Sequence, residues 1–361
     1  MAHKKMSFPC HAVFSDVRTM KQIHHDDQGV ADIKGVLRYV KILAVLCVLL
    51  LIILPILLHF KIGNTEAKEP KEDIKTGSLT AIAAGFEIPP FDDTEEGKMA
   101  EYGHKLITET YALIGPGTQK AITGNKLACS SCHLDGGTKS FAAPYIGLSG
   151  VFPIYIGRED KIESLEERIN GCFERSMNGK AIDVNSKEMR AIMSYIKHLS
   201  KDAPVGTRLK GQGFVDFKAP DRAADIKKGA IIYKNTCATC HGPDGGGLKG
   251  TKGNREGGYV YPPLWGEDAY NDGAGMARLL TAARFIKGNM PLGVTHDAPL
   301  LSDEDAFDVA AYINSHERPV KANRELDYPN LAKKPVDCPY PPYQDEISQE
   351  QHQLGPFTFK K

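Results

Sequence analysis

The sequence has no excess of charge of either sign, and this limits the partners that it can have. Its 361 residues include 45 Lys and Arg against 45 Asp and Glu, so the formal net charge is zero. Proteins that bind nucleic acid rely on a surplus of Lys and Arg to neutralise phosphate groups. We therefore expect no nucleic acid partner.

A nucleotide-binding loop is also missing. The glycine-rich stretch from Gly242 to Gly258 does not end in the Gly-Lys-Ser/Thr that completes such a loop. The stretch is instead expected to turn the chain.

Long apolar runs are scarce, and the one from Ile42 to Phe60 carries no formal charge. As a helix it spans roughly 28 Å, close to the thickness of the bilayer hydrocarbon. Lys and Arg are enriched before the run and balanced by acidic residues after it, so the N-terminal side is expected to stay in the cytoplasm. A cleaved signal peptide is the alternative, but no small-x-small cleavage site follows closely. We expect an uncleaved, single-pass anchor.

Cysteine is scarce as well, yet four of the 8 cysteines form two copies of the pattern Cys-x-x-Cys-His. The copies comprise Cys129, Cys132 and His133, and Cys237, Cys240 and His241. This spacing is the attachment signature of c-type haem, because two thiols add to the porphyrin while the imidazole reaches the iron. A zinc site or a redox dithiol would leave both histidines without a role. We expect two covalently bound haem c groups, with His133 and His241 as iron ligands.

Each motif lies between two helical patterns. Apolar residues at helical spacing precede the first motif at Met99, Tyr102, Leu106 and Ile107, and precede the second at Ile226, Ala230 and Tyr233. A further helical pattern follows each motif, with a cap near Asn185 after the first and near Ser302 after the second. Short helices joined by Gly- and Pro-rich loops predict a mainly α protein with two class I cytochrome c domains. The expected order is a cytoplasmic tail (1–35), a transmembrane anchor (36–60), a linker (61–90), cytochrome c domain 1 (91–205), a linker (206–220), cytochrome c domain 2 (221–318) and an extended C-terminal tail (319–361).

The second iron ligand differs between the two domains. In domain 2, Met290 precedes a proline in the segment before the last helix, which is typical of a thioether ligand. His/Met ligation gives a relatively high potential that suits electron transfer. Domain 1 has no Met-Pro between His133 and its closing helix.

Cys172 is the candidate ligand in domain 1. On a helix, Arg168, Cys172 and Ser176 lie on one face, and a nearby cation favours the thiolate that iron binds. Two other interpretations stay open, namely a disulfide between Cys172 and Cys338 and ligation by Met177.

The chain resembles the dihaem thiosulfate dehydrogenases, which interconvert thiosulfate and tetrathionate. The resemblance covers roughly Glu96 to the C terminus and rests on the segments CSSCH, YIGRED, ERINGCFERSMNG, CATCH, FIKGNMPLG, DYPN, KPVD, PYPPY and QHQLGPF. It implies a catalytic haem held by His133 and Cys172. It also implies an active site with Arg158, Arg168 and Ser176.

One position departs from part of that family. Some members carry a lysine directly before the distal methionine, where this chain has Asn289. We therefore expect a simple pair of His241 and Met290 on the second iron, and the preferred direction of the reaction stays open.

The predicted function is therefore 2 thiosulfate = tetrathionate + 2 electrons, catalysed in the periplasm by a protein anchored in the inner membrane. The expected partner is a periplasmic or membrane-bound cytochrome or oxidase. One alternative is a membrane-anchored dihaem electron carrier, such as an oxidase subunit, with no substrate chemistry of its own. Another is a sulfur-oxidation subunit that passes sulfur to a carrier protein.

Overall fold

The computed structural model describes residues 35–51 and 86–358. The chain divides into two units, Met1–Glu72 and Asp73–Lys361. In the first unit, residues 35–51 form helix α1. Among the helices of the described residues, none is both long enough and apolar enough to cross a membrane. Residues 1–34 of the predicted cytoplasmic tail, residues 52–60 of the predicted anchor and residues 61–85 of the predicted linker lie outside these residues.

The second unit is mainly helical. Its first half contains helices α2 (Glu95–Thr108), α3 (Thr110–Leu113), α4 (Leu134–Gly137), α5 (Leu165–Arg175) and α6 (Lys187–Leu199). Its second half contains α7 (Ile226–Ile232), α8 (Ala238–His241), α9 (Leu279–Asn289) and α10 (Asp303–Asn314), and α11 (Gln349–Leu354) lies in the C-terminal tail. Each half has its own cluster of buried apolar side chains, one built on α2 and α6 and the other on α9 and α10.

Two antiparallel hairpins complete the unit. Strands β1 (Ile154–Ile156) and β2 (Lys161–Glu163) pair with Ile154 opposite Glu163. Strands β3 (Leu248–Thr251) and β4 (Asn254–Tyr261) pair with an irregular register. The glycine-rich stretch, which was expected only to turn the chain, therefore forms most of a hairpin.

The helices before and after each motif pack on each other through a glycine. A side chain at Gly103 in α2 would place its Cβ 2.0 Å from the Ala191 carbonyl oxygen in α6. A side chain at Gly229 in α7 would lie 2.1 Å from the Asp308 carbonyl oxygen in α10. Neither position has room for any other residue. The two halves thus repeat the same helix contact, as expected of two cytochrome c domains.

The N-terminal caps of the helices lie at, or one residue from, the positions that the sequence predicts. The Ser302 hydroxyl accepts from the Asp305 amide at 3.1 Å, as its position predicts. The predicted cap of α6 was wrong by one residue, because the Met189 amide donates to Ser186 at 3.1 Å and not to Asn185. Ser164 begins α5 with a capping box formed with Glu167. These bonds fix the start of the helix that carries Cys172.

Candidate functional site

The first Cys-x-x-Cys-His motif opens into a cavity of about 330 Å³. Cys129, Cys132 and His133 line it together with Cys172 and Met177. Most of the remaining lining is aliphatic or aromatic, contributed by α2, α5, α6 and the loop after the motif. These residues fit a haem. The motif supplies two thiols and an imidazole, Cys172 and Met177 supply further sulfur atoms, and most of the remaining lining is apolar.

The two motif histidines are held alike. Nδ1 of His133 lies 2.6 Å from the Ala143 carbonyl oxygen, and Nδ1 of His241 lies 2.8 Å from the Pro262 carbonyl oxygen. A carbonyl can only accept, so Nδ1 carries the proton and Nε2 is left to bind iron. Burial lowers the pKa of His133 to about 4 and lowers that of His241 as well, which keeps both rings neutral.

The attachment cysteines are set in apolar surroundings. Burial raises the pKa of the Cys129 thiol to about 11, that of Cys132 to about 12 and that of Cys237 to about 11. Over the part of the chain that the structure describes, no three His, Cys, Asp or Glu side chains converge as a metal site.

Helix α5 presents Cys172 to the cavity. Arg168 lies one turn before Cys172, and its Nη1 is 3.3 Å from the Cys172 sulfur. Ser176, the residue that ends the helix, also lines the cavity. The predicted placement of Arg168, Cys172 and Ser176 on one helix face is therefore what the structure shows.

The predicted disulfide alternative is not formed, since Cys172 and Cys338 are both free thiols. Cys338 is only 1% exposed and packs with Tyr328 and Tyr340 in the C-terminal tail, whereas Cys172 lines the cavity. Met177 lines the same cavity at 3% exposure within the first core cluster. Cys172 and Met177 thus both line the cavity. The Arg168 guanidinium contacts the sulfur of Cys172.

Arg158 is placed differently from Arg168. It does not line the cavity; its Nη1 donates to the Gly273 carbonyl oxygen at 2.6 Å and to Asp327 at 3.2 Å. Arg175 also donates to Asp327, at 2.9 Å, and to Glu159 at 2.9 Å. Asp327, which belongs to the C-terminal tail, therefore forms ion pairs with both arginines. A direct role of Arg158 in the active site stays a prediction.

One asparagine of each domain also fixes the end of α5. Asn271 is 1% exposed, its amide nitrogen donates to the Arg175 carbonyl oxygen at 3.2 Å, and its side chain donates to the Glu174 carbonyl oxygen at 2.9 Å. The Asn125 side chain donates to the Ser176 carbonyl oxygen at 3.0 Å. Two asparagines from separate segments therefore hold the last turn of the helix that carries Cys172.

In domain 2, Met290 follows directly after α9, and its amide closes that helix by donating to the Ile286 carbonyl oxygen at 2.9 Å. Met290 and Cys237 pack against the same apolar cluster. Asn289 is 1% exposed, and its side chain donates to the Phe141 carbonyl oxygen of domain 1 at 3.1 Å. Met290 is thus presented from a fixed helix end beside the second motif.

Sequence reasoning missed one cavity residue, Arg208. It lies in the segment predicted as a linker at 206–220, and it lines the cavity with Gln212 and Gly213. The sequence offered only a cation in a polar stretch, so no local pattern distinguished it from a solvated side chain.

The chain is similar to known cytochromes c over most of its length. Residues 119–205 match the family model SoxA/TsdA, cytochrome c domain, and residues 224–313 match cytochrome c oxidase, cbb3-type, subunit III. The thiosulfate dehydrogenase of Psychrobacter arcticus is 43% identical over 269 residues, which are 74% of this chain and 75% of that protein. The thiosulfate dehydrogenase of Allochromatium vinosum is 38% identical over 253 residues, which are 69% of this chain and 87% of that protein.

A solved structure extends the likeness to the fold. The thiosulfate dehydrogenase (TsdBA) of Marichromatium purpuratum, in its as-isolated form, matches with a TM-score of 0.60 and 37% identity. The match covers 67% of this chain and 51% of the solved chain, so this chain spans about half the length of that protein. With two cytochrome c domains that bind haem c and close relatives over most of its length, the chain belongs to the thiosulfate dehydrogenase family of cytochromes c and is an oxidoreductase.

Proposed function

We propose that this protein interconverts thiosulfate and tetrathionate at a haem held by His133 and Cys172, and that a second haem held by His241 and Met290 relays the electrons. The observation that carries the proposal is the contact of 3.3 Å between Arg168 Nη1 and the Cys172 sulfur in the wall of the cavity that His133 lines. When bound, the two haems supply one-electron acceptors for a two-electron oxidation.

Arg168 can reduce the electrostatic repulsion between the two thiosulfate dianions of this reaction. Two thiosulfate dianions about 5 Å apart repel each other by roughly 3 kcal/mol even in water. A guanidinium can donate paired hydrogen bonds to the oxygens of a sulfonate group and offset part of that repulsion. Arg168 lines the cavity, and no ion pair of its guanidinium is formed among the described residues, although its charge acts on Glu163, so the guanidinium can still donate to an anion.

The proposed covalent step takes place at Cys172. Its thiolate would bond to the sulfane sulfur of one thiosulfate and give a cysteine persulfide capped by sulfonate, and the two haems, when bound, would take up the two electrons that this step releases. The sulfane sulfur of a second thiosulfate then attacks the outer sulfur of the new S–S bond. Tetrathionate departs with both thiosulfate units, and the Cys172 thiolate is restored. The same steps in reverse reduce tetrathionate.

Domain 2 suits the relay role. Thioether ligation raises the haem potential, and Met290 lies beside the second motif at the end of a rigid helix. The match of residues 224–313 to an oxidase cytochrome subunit supports electron transfer as the work of this domain. We propose a periplasmic or membrane-bound cytochrome or oxidase as its redox partner.

We further propose that residues 36–60 anchor the protein in the inner membrane, with the cytochrome domains in the periplasm. The uncharged run from Ile42 to Phe60 and the basic residues before it support this. Extraction of membranes with alkaline carbonate tests it. The full chain is expected to stay with the membranes, whereas a chain lacking residues 1–60 is released.

Turnover assays of two cysteine variants test the catalytic proposal. Cys172→Ala is expected to keep both covalently attached haems and to lose tetrathionate formation by a factor of about 10³ or more, because the nucleophile is gone. Cys338→Ala is the matched control, since it also removes a free thiol but one outside the cavity. A Cys172→Ala protein with full haem content and near-wild-type turnover would leave only the electron-carrier function.

A further inference from the structure

The C-terminal tail, to which the proposed reaction assigns no role, contacts both helices that present a proposed sulfur ligand. Asp327 accepts from Arg175 Nη2 at 2.9 Å, and Arg175 is the last residue of α5, the helix that carries Cys172. Further along the tail, Asp337 accepts from the first turn of α9. Met290 follows the other end of that helix. One short segment of the tail therefore holds the helix of Cys172 and the helix before Met290.

Asp337 caps α9 from outside the helix. Its Oδ2 accepts from the Leu280 amide at 2.9 Å, and its Oδ1 accepts from Nε and Nη2 of Arg278 at 2.9 and 2.8 Å. Arg278 directly precedes the helix, and because its side chain has no acceptor atom it cannot cap α9 itself. A carboxylate at this end is also favoured by the helix dipole. The buried Asp337 therefore fixes the start of α9.

The two aspartates belong to one tightly packed segment. Tyr328, Cys338 and Tyr340 form a buried cluster within the tail. The Tyr340 hydroxyl donates to Asp327 at 2.7 Å, and Cys338 follows directly after Asp337. The cluster therefore holds the two carboxylates at a fixed spacing, and it gives the buried Cys338 a packing role.

We propose that the tail segment 327–337 sets the spacing between the two haems, and that Asp337 is a positioning residue for electron transfer between them. This inference rests on the proposed function, in which one electron at a time leaves the first iron and reduces the second. The rate of such a transfer falls steeply with the distance between donor and acceptor. A segment that is bonded to both α5 and α9 keeps this distance constant.

Flash photoreduction tests this role, because it delivers one electron to the oxidised, fully haem-loaded protein and the absorbance of the two haems follows its redistribution. In Asp337→Ala the redistribution is expected to slow by about tenfold or more, since a small displacement of a positioned group has a large effect on rate. Asp337→Asn keeps the side-chain volume and one acceptor oxygen, so it should fold and give an intermediate rate. Wild-type redistribution rates in both variants would overturn the proposal.

Asp308→Asn is the matched control. Asp308 is likewise a buried carboxylate that accepts from an arginine and from a backbone amide, namely Arg222 at 2.8 Å and Asp225 at 2.9 Å, but it lies in α10 and not in the tail. Its replacement should lower stability and leave the redistribution rate unchanged. Equal slowing in Asp308→Asn and Asp337→Asn would reduce the effect to general stability and overturn the proposal. Rapid redistribution in a wild-type protein that does not turn over thiosulfate would instead defeat the proposed function.

Discussion

Nη1 of Arg168 lies 3.3 Å from the sulfur of Cys172, one helical turn along α5. Residues four positions apart on a helix are neighbours, so this contact follows from the helix geometry. The guanidinium lies within hydrogen-bond distance of the Cys172 sulfur, which is both the iron ligand and the nucleophile of the proposed reaction. The pair therefore joins the proposed ligand of the first haem to the cation that we propose binds the anionic substrate.

Replacement of Arg168 tests this link. Arg168→Ala is expected to lower kcat/KM for thiosulfate by about 10- to 100-fold, because a charge-assisted hydrogen bond to the substrate is lost. Arg168→Lys should recover part of the loss. Arg190→Ala serves as control, since Arg190 is an exposed arginine of α6 outside the cavity. Activity of Arg168→Ala within twofold of the wild-type value would exclude the proposed role.

Asp327 is predicted to stabilise the fold in a pH-dependent way. Burial alone raises the pKa of Asp327, but hydrogen bonds from Arg175 and Tyr340 and the charge of Arg158 lower it by more. A carboxylate with a lowered pKa stabilises the folded state above its unfolded pKa of about 4, and this contribution is lost as the pH falls through the folded value. Its stabilising effect is therefore complete at neutral pH.

Asp327→Asn should accordingly lower the free energy of unfolding by about 3 kcal/mol at pH 7, because it removes the ion pair of the buried Arg158 and one of the two carboxylates that pair with Arg175. Urea unfolding followed by circular dichroism should show the same difference at pH 5 and a smaller one below about pH 4. Asp93→Asn is a suitable control, as its side chain is 98% exposed. A difference that does not depend on pH would contradict the ionic origin of the effect.

Met290 is expected to set the potential of the second haem. Met290→Leu keeps the volume but removes the thioether, so one of the two reduction potentials should fall by on the order of 100 mV or more in a redox titration. Met276→Leu is the matched control, because Met276 packs against the same cluster. If both variants show wild-type potentials, Met290 is not the ligand.

The sequence predicts the local geometry of residues that lie close together in the chain. The haem motifs, the helical face of Arg168 and Cys172, and the Met-Pro segment at Met290 are all local patterns, and local geometry determines their arrangement. The exact cap of α6 was missed because Asn185 and Ser186 are both good capping residues in adjacent positions.

Contacts between distant segments could not be predicted in this way. Asp327 reaches Arg158 across 169 residues and Arg175 across 152 residues, and nothing near either arginine indicates the carboxylate. Arg208 was assigned to a linker because its sequence neighbours are polar, whereas Leu209 and Gln212 fix the segment against domain 1. Hydrogen bonds between distant segments, and not the local sequence, determine which arginines pair with a carboxylate.

Electron paramagnetic resonance of the oxidised protein tests most directly the claim that the two haems differ in their ligands. The wild-type protein should show two distinct low-spin signals, one from His133 with Cys172 and one from His241 with Met290. In Cys172→Ala the first signal should be replaced while the second stays unchanged, and Cys338→Ala should retain both. A Cys172→Ala protein with both low-spin signals intact would contradict the account.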